Sequence, residues 1–175
     1  MTGLGFADFD MEGRYIQADY ENLSVGCLLA PFAEPGNADQ LAHKLAFYEQ
    51  LGGHLQKVRN KRREFIICGN WQLAHTAADV QNTEQNSTSP GFLTEERQWI
   101  NELFASGYID AFREINSDQD EFSWWPDGGR DSNGWRSDFH VISKGLQYTV
   151  DYGAIYKVKE FSTHAPIIMD YDIEI

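Results

Sequence analysis

The longest regular pattern in the chain lies over residues 38–58, where apolar residues fall at Leu41, Leu45, Tyr48, Leu51, Leu55 and Val58. Spacings of three and four put these side chains on one stripe of a helix, and such a stripe has to face another layer. Gly52 and Gly53 lie inside it; each costs on the order of 1 kcal/mol against Ala in a helix interior, so a kink or close packing is expected there. A second helix is expected from Thr94, read as its cap. Glu95 and Glu96 occupy its first turn, Trp99, Ile100, Leu103 and Phe104 its buried face, and Gly107 its end. Strands alternate with these helices. Residues 14–20 and 23–30 form two β-rich runs joined by Glu21 and Asn22, the pattern of a hairpin. Phe65, Ile66, Ile67 and Cys68 read as a short strand buried on both faces and stopped by Gly69. Residues 135–142, 148–156 and 166–173 supply further strands, while the polar residues 77–90 read as a surface excursion. Mixed strands and helices of this kind imply an α/β fold.

Composition narrows the picture. A chain of 175 residues, 42% hydrophobic and 14% aromatic, carries material for one core, and residues 1–175 are read as a single domain. Its formal charge of −13 opposes unaided affinity for a phosphate backbone, so tight DNA binding is not expected. Five of the 14 basic residues nevertheless crowd into residues 57–63. Arg59, Lys61, Arg62 and Arg63 are either a solvated helix end, favoured there by the helix dipole, or a contact point for RNA or an acidic partner. Arg59 is the weaker member of that contact point; Arg113, in the Tyr108 to Arg113 segment, is placed in the same contact set and either supports the site region or is a structural ion-pair partner. Cys27 and Cys68 both sit in apolar runs and are read as buried thiols. His43 and His54 lack carboxylate or Cys partners at ligand spacing and are read as exposed. With no apolar run long enough to span a membrane and no basic leader, a cytoplasmic location is expected.

The richest chemistry follows the third strand, in Gly69-Asn70-Trp71-Gln72 and Ala74-His75. On spacing alone this is an ordinary strand exit. Four more stretches accompany it in order: Glu12-Gly13-Arg14; Gly91-Phe92-Leu93-Thr94-Glu95-Glu96-Arg97; Phe122-Ser123-Trp124-Trp125; and Gly134-Trp135-Arg136-Ser137-Asp138-Phe139. Together they resemble the exonuclease III and abasic-endonuclease family, magnesium-dependent phosphodiesterases of the endonuclease/exonuclease/phosphatase superfamily. The resemblance implies a two-sheet, four-layer α/β sandwich, with the family's opening strands absent from this chain.

It also implies site positions at Asn70, Gln72, Asp138, Thr163 and His164, and here the residue types differ from the family pattern. Asn70 stands where the family has an aspartate, Gln72 where it has an asparagine, and Thr163 where it has the second acid; Leu29-Ala30-Pro31 lacks the family's tyrosine. Only Asp138 and His164 keep the expected chemistry. An amide cannot take a proton from water at neutral pH, and magnesium prefers hard oxygen ligands. From this pattern, together with the runs at residues 61–64, 122–127 and 162–172, the chain resembles the catabolite repression control branch of the family. That branch implies a non-catalytic regulator with a degenerate site and no cofactor. Its partners would be an Sm-like RNA chaperone and, within that complex, A-rich mRNA. The alternative is a magnesium-dependent exonuclease or abasic-site endonuclease. The Trp124 and Trp125 rings are read as core packing rather than base-stacking platforms.

Overall fold

The computed structural model describes residues 3–126, 128–130 and 133–174; Asp127, the last residue of the 122–127 run, lies outside them. A five-stranded sheet in the order β1-β2-β3-β5-β4 and a two-stranded sheet of β6 and β7 form its framework. The strands are β1 (Tyr15–Asp19), β2 (Leu23–Leu29), β3 (Glu64–Asn70), β4 (Tyr108–Asp110), β5 (Asp138–Ser143), β6 (Val150–Ile155) and β7 (Ile167–Tyr171). The expected hairpin is present, since β1 and β2 pair antiparallel. β2 then pairs parallel with β3, and β3 antiparallel with β5. Helix α1 (Ala7–Met11) precedes the hairpin, and α2 (Ala38–Arg59) connects β2 to β3, as a parallel pair requires.

Because β3 is central, its two faces are both covered. Phe65 and Ile67 join Phe47, Leu51 and Leu55 of α2, together with Ile100 and Leu103 of the later helix α4 (Thr94–Ala105), in the main core. Ile66 faces the other way, against Leu23, Ile142 and Leu146, with Met169 and Tyr171 of β7 packed alongside. The layers are therefore helices, five-stranded sheet and two-stranded sheet, the two-sheet α/β arrangement the resemblance implied. Among the described residues no helix is long and apolar enough to cross a membrane.

Several local readings need correction. Gly69 does not stop β3. The strand continues through it to Asn70 with φ of 133° at Gly69, where a Cβ would run into the Leu28 carbonyl of the neighbouring strand. Thr94 does not cap α4; Leu93 holds the cap position, and the buried Glu96 carboxylate accepts the N–H groups of Gly91 at 2.6 Å and Leu93 at 3.0 Å. Glu96 also pairs at 2.6 Å with Lys44, a buried charge on the otherwise apolar face of α2. Residues 77–90 are not a mere surface excursion. They contain α3 (Thr83–Asn86) and contribute Asp79, Val80 and Asn86 to the interior.

The two sheets are also linked by a polar contact. His140 of β5 hydrogen-bonds through Nδ1 to the Tyr171 hydroxyl of β7 at 3.0 Å, and their rings stack 6.2 Å apart. Burial pushes the His140 pKa down from 6.5 to about 4, against a smaller opposing pull from Asp110. The unfolded chain therefore binds a proton at His140 before the folded one does. Stability from this group is complete above pH 6.5 and is lost as the pH falls towards 4, to the extent of about 3 kcal/mol. Urea unfolding of the parent chain across that window should show this decline, and His140→Gln should flatten most of it.

Candidate functional site

β3 and β5 end side by side, with Asn70 the register partner of Asp138. The Trp71 N–H donates to the Ser137 carbonyl at 2.9 Å and extends this contact past the strand end. Asp138 Oδ2 accepts two hydrogen bonds, from the Ser123 hydroxyl at 2.7 Å and from His164 Nδ1 at 2.9 Å. Ser123 is fully buried. Its Oγ accepts the N–H groups of Ser137 and Asp138, each at 3.3 Å, and its carbonyl accepts the Ala165 N–H at 2.7 Å. One small side chain thus ties the aromatic run, the start of β5 and the loop carrying His164.

The imidazole is held from several directions. Beyond its contact with Asp138, it stacks on Trp124 with centroids 6.0 Å apart and an interplanar angle of 26°. The His164 N–H donates to Ser162 Oγ at 3.0 Å. A carboxylate accepting at Nδ1 fixes the proton there, so Nε2 is the nitrogen left for chemistry. At the end of β3, Asn70 Oδ1 accepts the Gln72 N–H at 2.9 Å, which leaves the Asn70 NH2 group to donate. Gln72 takes a left-handed conformation with φ of 55°, and its carbonyl accepts the buried Lys44 ammonium at 2.6 Å. The strand exit is therefore braced by α2. A pocket of about 320 Å³ opens here, lined by Gly69, Asp138, Ser162 and His164 together with apolar residues that include Phe161 and Ile167.

Among the site positions expected from sequence, Asn70, Asp138 and His164 converge on one sheet end, and Gln72 shapes the turn behind them. Thr163 is exposed and its carbonyl accepts the Trp125 N–H at 3.1 Å. Sequence reasoning missed Ser123. Its signal was a lone hydroxyl inside the Phe122-Ser123-Trp124-Trp125 run, where the aromatic rings drew attention instead.

The basic residues lie elsewhere. Residues 59–63 precede β3, whereas Asn70 ends it; at about 3.3 Å per residue the strand separates them by roughly 20 Å. Arg59 donates to the Ser106 carbonyl, and Arg63 pairs with Asp19 at 3.0 Å. Arg113 pairs with the buried Asp79 at 2.7 Å. Lys61 and Arg62 are exposed.

Magnesium is commonly held by one or two carboxylates together with waters and substrate phosphate oxygens; the rim supplies one carboxylate, Asp138, whose Oδ2 accepts two hydrogen bonds and whose Oδ1 would be the oxygen offered to an ion. Among the described residues no group of three or more His, Cys, Asp or Glu side chains is placed to hold a metal ion. No chemical step is assigned to a metal.

The same architecture occurs in an AP endonuclease structure from Archaeoglobus fulgidus, with a TM-score of 0.88 over 99% of this chain and 70% of that one, at 21% identity. In sequence, the chain is 29% identical over 169 residues to an exodeoxyribonuclease of Bacillus subtilis, covering 94% of this chain and 66% of that protein. It is 30% identical over 177 residues to a DNA-(apurinic or apyrimidinic site) endonuclease of Dictyostelium discoideum, covering 98% of this chain and 49% of that protein. The chain is related to the exonuclease III and AP endonucleases. It spans between about half and two thirds of the length of these two relatives. No family model matches it.

These relatives overturn the expectation of a non-enzyme with a degenerate site, because they are named as nucleases. They favour the nuclease alternative over the repression reading. The expectation from sequence weighs each side chain by its type alone, whereas the fold couples Asp138, His164 and Ser123 into one supported unit.

Proposed function

We propose that the chain acts in phosphodiester cleavage on DNA, as a nuclease of the exonuclease III and AP endonuclease type. The observation that carries this reading is the Asp138–His164 pair, 2.9 Å apart at a sheet end and backed by Ser123. With Nδ1 committed to Asp138, Nε2 faces one of two tasks. Protonated, it donates to a phosphate oxygen; unprotonated, it takes the proton of an attacking water. The amide of Asn70, the register partner of Asp138, can donate to a second phosphate oxygen as negative charge develops. The names of the two nuclease relatives support DNA as the substrate class.

The net charge of −13 makes long-range attraction to DNA weak, so binding on this reading depends on close contacts at the rim and is sensitive to salt. The test uses two end-labelled duplexes, one carrying a single abasic site and one with a recessed 3′ end, in a magnesium-containing buffer. Incision at the abasic site or shortening from the 3′ end is expected. Intact strands with protein in excess over both duplexes would contradict the proposal.

A further inference from the structure

Cys27 and Cys68 are direct register partners on the parallel strands β2 and β3. Both are free thiols. Partners in adjacent strands have side chains on the same face, and the Cys68 thiol also donates to the Gly26 carbonyl of β2 at 3.4 Å. Neighbouring strands lie about 4.8 Å apart, inside the range of about 4.4–6.8 Å between Cα atoms over which a disulfide can close. Cys27 is exposed, contrary to its reading as a buried thiol, and Cys68 is half-buried. The difference arises because the second sheet covers Ile66 and Leu23 but stops short of the Cys27 end of β2.

We propose that Cys27 and Cys68 form an oxidation site that closes reversibly into a cross-strand disulfide beside the nuclease rim. The oxidant is a peroxide. The exposed Cys27 thiolate attacks one peroxide oxygen and expels hydroxide, which leaves a sulfenic acid on Cys27. The Cys68 sulfur then attacks the Cys27 sulfur; the S–O bond breaks and the departing hydroxide takes the Cys68 proton. Two thiols and one hydrogen peroxide thus yield one disulfide and two waters. Burial pushes the Cys68 thiol up to about 11, which leaves first attack to the accessible partner; Cys68 follows because it is the register partner beside the oxidised sulfur. A bond between two strands of a packed sheet has little freedom to adopt ideal geometry, which makes it readily reduced.

The location gives the oxidation a structural consequence. Cys68 lines the pocket shared with Asp138 and His164 and stands two residues before Asn70. Closing the bond therefore changes the pocket wall without touching the working pair. This inference rests on the two strands alone and holds whether or not the chain cleaves DNA.

The experiment treats the whole chain with a small excess of hydrogen peroxide, blocks remaining thiols with a maleimide under denaturing conditions and reads intact mass and peptide maps. The expected product is a monomer lighter by two hydrogens, unlabelled at both cysteines, with both labelled again after dithiothreitol. Cys27→Ser should leave Cys68 as a free thiol under the same treatment. Cys68→Ser should leave Cys27 as sulfenic or higher acid. Disulfide-linked dimers, a Cys27 oxyacid in the parent chain with Cys68 still free, or no change at either residue would each overturn the proposal. Circular dichroism of the oxidised parent should be unchanged, since oxidation only after unfolding would equally contradict a site built by the sheet.

Discussion

Asp79→Ala is expected to lower the unfolding free energy by about 3–5 kcal/mol, the scale of a buried ion pair that loses one partner. Asp79 is buried, and its Oδ1 receives Arg136 Nε at 2.8 Å and Arg113 Nη2 at 2.7 Å. Its Oδ2 receives the Thr76 N–H and hydroxyl, both at 3.0 Å. Arg136 is itself fully buried and reaches Asp110 at 2.6 Å with its other arm. Burial opposes ionisation of Asp79, yet the Arg136 and Arg113 guanidinium groups outweigh it and hold the carboxyl well below the usual carboxylate range. Stability from this carboxylate is therefore complete above the unfolded-state value near 3.8 and is lost only as the pH falls below it.

Removing Asp79 leaves Arg136 with Asp110 alone, and a guanidinium cannot relieve the imbalance by losing its proton. Lys44 and Glu96 behave differently. Burial holds the Lys44 pKa below its ordinary value despite Glu96, so that pair can respond to a lost partner by deprotonation, and a smaller penalty follows. Urea unfolding at pH 7 measures the Asp79→Ala effect. A loss below about 1 kcal/mol, the scale of an exposed pair, would show that the network is not tightly coupled.

His164→Ala is expected to slow phosphodiester cleavage by about 10²–10⁴-fold, the usual contribution of a positioned acid or base. Asp138→Asn should cost less, on the order of 10–100-fold, as is common for a group that orients another. The amide keeps the shape but can present NH2 to Nδ1, which turns the imidazole towards the wrong tautomer. Ser123→Ala removes one of the two hydrogen bonds on Asp138 Oδ2 and both Oγ contacts to the start of β5. It should therefore lower thermal stability as well as rate. His164 is about a third exposed and stands in a surface loop, so its removal should leave melting nearly unchanged. Rate and melting measured on all three variants separate chemistry from support.

The apolar framework is legible in the sequence because its signals are periodic. The 38–58 stripe forms α2, the 23–30 run forms β2, and the 94–107 pattern forms α4 with Ile100 and Leu103 inside. Buried charge carries no such signal. Lys44 falls on the apolar stripe, three residues after Leu41 and four before Tyr48, but a lone lysine there does not announce its partner, and Asp79 sits in a segment whose Asn, Ser and Pro content marks it as loop. Both are internal because an opposite charge from a distant segment meets them. Gly69 reads as a terminator because a glycine that breaks a strand and one that permits close approach of its neighbour look the same in sequence. At the site, the individual letters Asn70, Gln72 and Thr163 suggest loss. The coupling of Asp138, Ser123 and His164, which come from three separate stretches, becomes visible only in three dimensions.

The assignment of Asp138 and His164 as a working pair is tested most directly by the single-turnover rate of incision at an abasic site, measured for the parent chain and for His164→Ala with protein in excess over duplex. Incision by the parent and a fall of at least about 10²-fold in the variant are expected, with equal melting temperatures. Equal rates in two well-folded proteins, or no incision by either, would contradict the assignment of Asp138 and His164 as the working pair of a nuclease.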